Sequence, residues 1–285
     1  MGFFATFWHW LNVELTTYVA DNAARVAAAL EPAVVTLGVL YVMVWGYLQL
    51  TGRIDEPFVE GLRRIATLAV VLGIALRLWL YNALIVDTFY RAPAELGAAI
   101  AGSADPVATI DAIWDRGGAV ASVLWQRGSL LMGDFGFYVA GAVVWALVGL
   151  VCVYAMFLIA LSSVALSLLF AIGPLFVVGL LFERTRRLFD AWIAQLSNYA
   201  LVTVLTVLVA ALLLRLVATY AEQTAARGPA LTTVDTLDLL LIAGIVLLVM
   251  RQVMPIAASL AGGAALSSFG VVGRVAGWPM RRLVR

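Results

Sequence analysis

Lysine is absent from this chain. All 18 basic residues are arginine, set against 17 Asp and Glu, for a net charge of +1 over 285 residues. Charge of either sign is scarce, at 12% of residues, about half the usual share of a soluble domain. Nucleic-acid binding through a basic patch is therefore not indicated. His9 and Cys152 are the single residues of their types and stand far apart, so neither an internal disulfide nor a His/Cys metal cluster is available. No H-E-x-x-H, Walker A or G-x-S-x-G pattern occurs. The acids are scattered in loops and do not pair within apolar runs. A metal centre, an ATPase and an integral-membrane enzyme are all unsupported, and the chain is expected to bind and organise, with no cofactor. The first Arg is Arg25, so the positive start of a signal peptide is also missing.

What fills the chain is apolar sequence, 64% of residues, with a mean hydropathy of +1.02. Several runs reach the ~18 residues that read as a candidate membrane-spanning helix. The expected fold is all-α, a polytopic transmembrane helix bundle. Residues 1–31 place Phe4, Trp8, Leu11, Leu15 and Tyr18 at helical spacing with polar residues between them. They predict an amphipathic helix, either on the membrane surface or packed on the bundle. Residues 32–90 hold two spans, Ala33–Leu50 opened by Pro32 and about Leu62–Tyr81, joined by a short Arg-bearing loop. Residues 91–136 carry three Arg and five acids and predict an external loop built of short helices, with Trp114 and Trp125 as its contact candidates.

Residues 137–255 form the hydrophobic core. The stretch between Asp134 and Glu183 is too long for one crossing, and Ser162, Ser163 and Gly173-Pro174 are its plausible breaks. Spans follow at about Ile193–Val217 and Leu237–Met254. Residues 256–285 are a small-residue, Arg-rich tail containing Gly262 and Gly263. Arginine gathers at 53–64, 184–187 and 274–285, and all three clusters fall on the cytoplasmic side if the N-terminus is outside and the chain crosses five times. In that arrangement 137–182 is one crossing plus a re-entrant apolar segment. The alternative is six crossings, with 137–182 as a hairpin. Arg215 and Arg251 lie near span ends, where snorkelling to the headgroups is favoured over a functional buried charge. Arg77, inside the second span, is the candidate for a buried partner or a water-lined lumen.

The most unusual stretch is "GPLFVVGLLFERTRRLFDAW", residues 173–192. Pro174 suits the first turn of a new helix, where its missing N–H has no intrahelical partner. Arg184, Arg186 and Arg187 then stand in a cluster with Asp190. Arginine in a first helical turn opposes the helix dipole, so local stability does not explain it. Anionic headgroups or an acidic partner would, and so would simple marking of topology.

This stretch resembles the signature of the TrbL/VirB-class inner-membrane proteins of bacterial type IV secretion systems, the sixth VirB component. The family's T-R-x-x-F-x-x-W pattern is matched by Thr185, Arg186, Phe189 and Trp192, after the apolar run opened by Gly173 and Pro174. The tail with Gly262 and Gly263 resembles the family's small-residue segment. The resemblance implies a non-catalytic platform or channel in the bacterial inner membrane, and the arginine clusters predict a periplasmic N-terminus and a cytoplasmic C-terminus. Such a platform supports pilus assembly and the passage of DNA or protein substrates. The implied partners are the pilin, the minor pilin, bitopic scaffold proteins, secretion ATPases and membrane lipids. A homo-oligomeric ring, five-fold by the resemblance, is expected to pack through the small-residue tail, which the residues alone allow equally to pack on its own bundle. A small secondary transporter with broken helices is the alternative, disfavoured because the spans show no two-fold repeat.

Overall fold

The computed structural model describes residues 2–53, 58–102, 106–128, 135–181, 185–227 and 236–277, and every regular element among them is a helix. In chain order these are α1 (Phe3–Leu50), α2 (Phe58–Leu76), α3 (Leu78–Tyr81), a π-helical segment (Asn82–Arg91), α4 (Ala92–Ala101), α5 (Pro106–Arg127), α6 (Phe135–Ala171), α7 (Gly173–Val178) with a 3-10 turn (Gly179–Leu181), α8 (Arg186–Arg227) and α9 (Thr236–Gly277). Four helices, α1, α6, α8 and α9, are long and apolar enough to cross a membrane. The α2 and α3–α4 segments form a further pair, bent by 89°. At 1.5 Å per residue the 37 residues of α6 reach ~56 Å, well beyond ~30 Å of hydrocarbon. The chain is thus a multi-span membrane-helix protein.

The chain divides into two compact units, and α1, α6, α8 and α9 each contribute to both. The first unit holds residues 1–13, 92–163 and 198–260. Its core joins Ile110, Ile113 and Leu124 of α5 to Val148, Cys152 and Ile159 of α6. Val207 and Leu213 of α8 and Met250 of α9 complete it. Close helix approach is set by small residues, as lipid-embedded packing requires. A Cβ at Gly117 of α5 would stand 2.5 Å from Val148 of α6. The second unit holds residues 14–91, 164–197 and 261–285. In it α2 packs against α7 and α3.

Four readings are corrected. Pro32 does not open a helix, because α1 runs through it unbroken. A proline inside a helix forfeits one backbone bond, whereas an open break in lipid would leave several polar groups unpaired. Ser162 and Ser163 do not break α6. Both are buried, and the Ser162 hydroxyl donates to the Leu158 carbonyl at 2.9 Å, so it is satisfied within the helix. No hairpin forms over 137–182, because α6 is one helix and α7 spans six residues, ~9 Å. The second span is not straight either. It turns sharply at Arg77, whose backbone is extended (φ −98°, ψ 99°).

The start of α1 is packed, the second of the two options for the N-terminal helix. Phe4 joins the first unit's core, and the Phe4 and Ala5 N–H groups each donate to a different oxygen of the Asp111 carboxylate, both at 3.0 Å. The first N–H groups of a helix have no intrahelical partner, and a carboxylate there also complements the dipole. Asp111, 107 residues away from Phe4, thus acts as the cap that the local sequence lacks. Gly2 is required for this approach, since a Cβ there would fall on the Asp111 carboxyl group. Asp111→Ala is expected to weaken the attachment by about 1–2 kcal/mol, the usual cost of losing an N-cap. Hydrogen exchange at Phe4 and Ala5 checks this, and protection unchanged from wild type would refute it.

Candidate functional site

The Gly-Pro break is built in the second unit around the end of α6. In an α-helix each carbonyl accepts from the N–H four residues on. Because α6 stops at Ala171, its last carbonyls lose those donors, and Pro174 has no N–H to offer Phe170 in any case. Side chains replace them. The Tyr81 hydroxyl donates to the Phe170 carbonyl at 2.8 Å, and the Trp192 indole Nε1–H donates to the Leu169 carbonyl at 3.0 Å. Both aromatics are almost fully buried, which is where an unpaired polar tip would be most costly.

The surrounding rings lock Trp192 in place. Phe176 stacks on it with centroids 5.8 Å apart and planes 9° from parallel, and Phe189 lies at 5.6 Å, tilted. Gly173 sits where these groups converge: a Cβ there would collide with the Tyr81 hydroxyl and stand 2.8 Å from the Trp192 ring. Pro174 follows in the first turn of α7. The Thr185 hydroxyl then donates to the Gly179 carbonyl at 2.7 Å, and the Thr185 carbonyl accepts from the Leu188 N–H at 2.9 Å. These bonds set where α7 ends and where α8 begins.

Gly173, Phe189 and Trp192 are therefore brought together as one knot, with Pro174 next to Gly173 in the chain and Thr185 held on Gly179. The charges lie beside it. Arg186 and Arg187 are exposed at the start of α8, Asp190 is half-buried, and Arg184 lies outside the described residues. Asp190 has one carboxylate oxygen buried and without a hydrogen-bond partner among the described residues. Tyr81 and Phe176 belong to the knot but carry no motif in the sequence. The available signal is the rule that a tyrosine in an apolar run needs a partner for its hydroxyl.

The other candidates fall elsewhere. Arg77 is exposed at the bend, so a buried ion pair within this chain is not its role. Trp114 and Trp125, expected as contacts of an external loop, brace α5 on α6 within the first unit. Trp114 lies 5.3 Å from Trp145 and 6.2 Å from Phe4, ring to ring, and Trp125 donates to the Tyr138 carbonyl at 3.3 Å. Gly262 is exposed on α9, and among the described residues nothing beyond its own helix and chain neighbours lies within 4 Å of where its Cβ would be. Gly263 follows it on the same helix, and its surroundings lie outside the described residues. Among the described residues no group of three or more His, Cys, Asp and Glu could hold a metal ion.

Long apolar helices and a helix break capped by buried aromatics define a multi-span membrane-helix protein. Residues 38–253 match the TrbL/VirB6 plasmid conjugal transfer protein family, and the chain belongs to that family. It is 24% identical over 212 residues to the type IV secretion system protein VirB6 of Bartonella quintana, a stretch that covers 73% of this chain and 63% of that protein. It is 28% identical over 206 residues to protein VirB6 of Agrobacterium fabrum (71% and 69% covered) and 25% identical over 227 residues to its namesake in Brucella abortus (73% and 64%). The chain thus spans somewhat under two thirds of the Bartonella and Brucella proteins' length. The whole Gly173–Trp192 knot lies inside the family match, whereas Gly262 and Gly263 lie beyond it.

Proposed function

We propose that the protein is an inner-membrane platform or channel component of a type IV secretion system, supporting pilus assembly and the translocation of DNA or protein. The observation that carries this reading is the family match over residues 38–253, which includes both the bend at Arg77 and the Gly-Pro break. Its partners on this reading are the pilin, the minor pilin, bitopic scaffold proteins and the secretion ATPases. Deleting its gene should abolish transfer or secretion, and restoring the wild-type chain should recover it. A variant with Arg184, Arg186 and Arg187 all replaced by Gln should insert normally yet fail to restore transfer. Full transfer in the deletion strain would overturn the reading.

The chain is further read as a closed ring of identical subunits, five-fold by family resemblance. The exposure of Gly262 on α9 and the small residues that surround it in sequence support packing against a neighbour. A monomer mass in mild detergent, with partners present, would sink the ring. The proposed orientation has five crossings, with α2–α4 as one bent crossing, α7 re-entrant, the N-terminus periplasmic and the C-terminus cytoplasmic. In a Cys152→Ser background, a cysteine at Ser103 should react with an impermeant thiol reagent in intact cells and one at Thr185 should not. Reaction at both would refute this orientation.

A further inference from the structure

A cavity of about 560 Å³ lies within the second unit, between α1, α2 and the end of α7. Its α1 wall is a stripe from Val34 through Gly38 and Tyr41 to Val44, and its α2 wall includes Arg63 and Thr67. Val178, Leu180 and Leu181 close the third side. Among the described residues Arg63 is the one charged residue of the lining, and it is exposed. Thr67 has its hydroxyl engaged with the Arg63 carbonyl at 2.9 Å.

Polarity is graded along the cavity. α1 and α2 are joined by the short segment 51–57, and Gly38 lies against Leu68 and Leu72, which fixes them as antiparallel neighbours. Arg63, five residues into α2, therefore stands at the loop end beside Val44, while Val34 marks the far, wholly apolar end. The loop end of a membrane hairpin lies at the headgroup level, and the far end lies in hydrocarbon. Among the described lining residues the apolar stripe ends at a single cation, a pairing that suits an acyl chain carrying an anionic headgroup.

We propose that this cavity binds an anionic phospholipid, with an acyl chain along the Val34–Val44 stripe and the phosphate on Arg63. A bound lipid would fill the space between α1, α2 and the end of α7, the arm that leads directly into the aromatic knot. The site is thus placed to make the packing of the Gly-Pro break depend on the membrane's anionic lipid, and it stands whether or not the secretion reading does.

The test uses the full chain reconstituted in phosphatidylcholine vesicles doped with phosphatidylglycerol carrying a photoreactive diazirine on one acyl chain. Label should concentrate on Val34–Val44 and on Leu180–Leu181. Unlabelled phosphatidylglycerol should compete about fivefold better than phosphatidylcholine, since a basic residue near an anionic headgroup contributes about 1 kcal/mol. Arg63→Gln should bring the two competitors to parity, and Arg63→Lys should keep the preference. Val44→Trp should cut labelling of the cavity several-fold while labelling of exposed Val153 and Leu248 persists, which shows that the variant is folded and inserted. Label spread evenly over all exposed apolar faces would overturn the proposal. So would cavity labelling unchanged by Val44→Trp, a preference that survives Arg63→Gln, or a cavity shielded from lipid by a second copy or another protein.

Discussion

Trp192→Ala is expected to cost about 3–5 kcal/mol, the range for deleting a large buried aromatic, and to leave little inserted protein in cells. Two losses combine. The cavity forfeits the stacking of Phe176 and the contact with Phe189, and the Leu169 carbonyl loses its donor. Trp192→Phe separates them, because it keeps most of the ring volume and removes the indole N–H. That variant should lose about 1–3 kcal/mol, the cost of an orphaned buried acceptor. Thermal unfolding in a mild detergent, read alongside abundance in the membrane, measures both. If Trp192→Phe matched wild type, the indole would be packing and not capping.

Gly173→Ala should cost about 1–3 kcal/mol through overpacking, and the size of the effect should depend on Tyr81. The nearest atom to the added methyl is the Tyr81 hydroxyl oxygen, followed by the Tyr81 ring carbon that bears it and then the Trp192 ring. Tyr81→Phe removes that oxygen and also leaves the Phe170 carbonyl without its donor. Each single change should therefore destabilise, while the double variant should lose at least 0.5 kcal/mol less than the two together, the scale on which touching residues couple. Strict additivity would show that Gly173 and Tyr81 do not meet.

The Gly-Pro break was legible from residues 173 and 174 because a proline without an N–H has a local consequence. The aromatic caps were not, since Tyr81 comes from 89 residues before the carbonyl it serves and nothing in its neighbourhood announces the pairing. Trp192 was read as a motif position, yet its partner carbonyl could not be named. Pro32 and Ser162–Ser163 misled for the opposite reason. Their local signals are those of breaks, but in an apolar run the backbone has no water to turn to and the helix persists. The bend at Arg77 has neither proline nor glycine at its apex, so composition gives no warning of it. Arg77 stands at the bend and not within a straight span. The tryptophans of α5 were seen as ordered, and only the fold shows that α6 is what orders them.

The Asp111 cap on α1 has a consequence for how the chain is made. Phe4 leaves the ribosome 107 residues before its hydrogen-bond partner. At about 5–20 residues per second, that is a delay of roughly 5–20 s. The first turn of α1 must spend that interval with its N–H groups served by water or lipid headgroups. The N-terminal end of the protein is therefore moored late, after the second helical region has already been threaded, and the order of synthesis leaves it free for any insertion factor that engages it first.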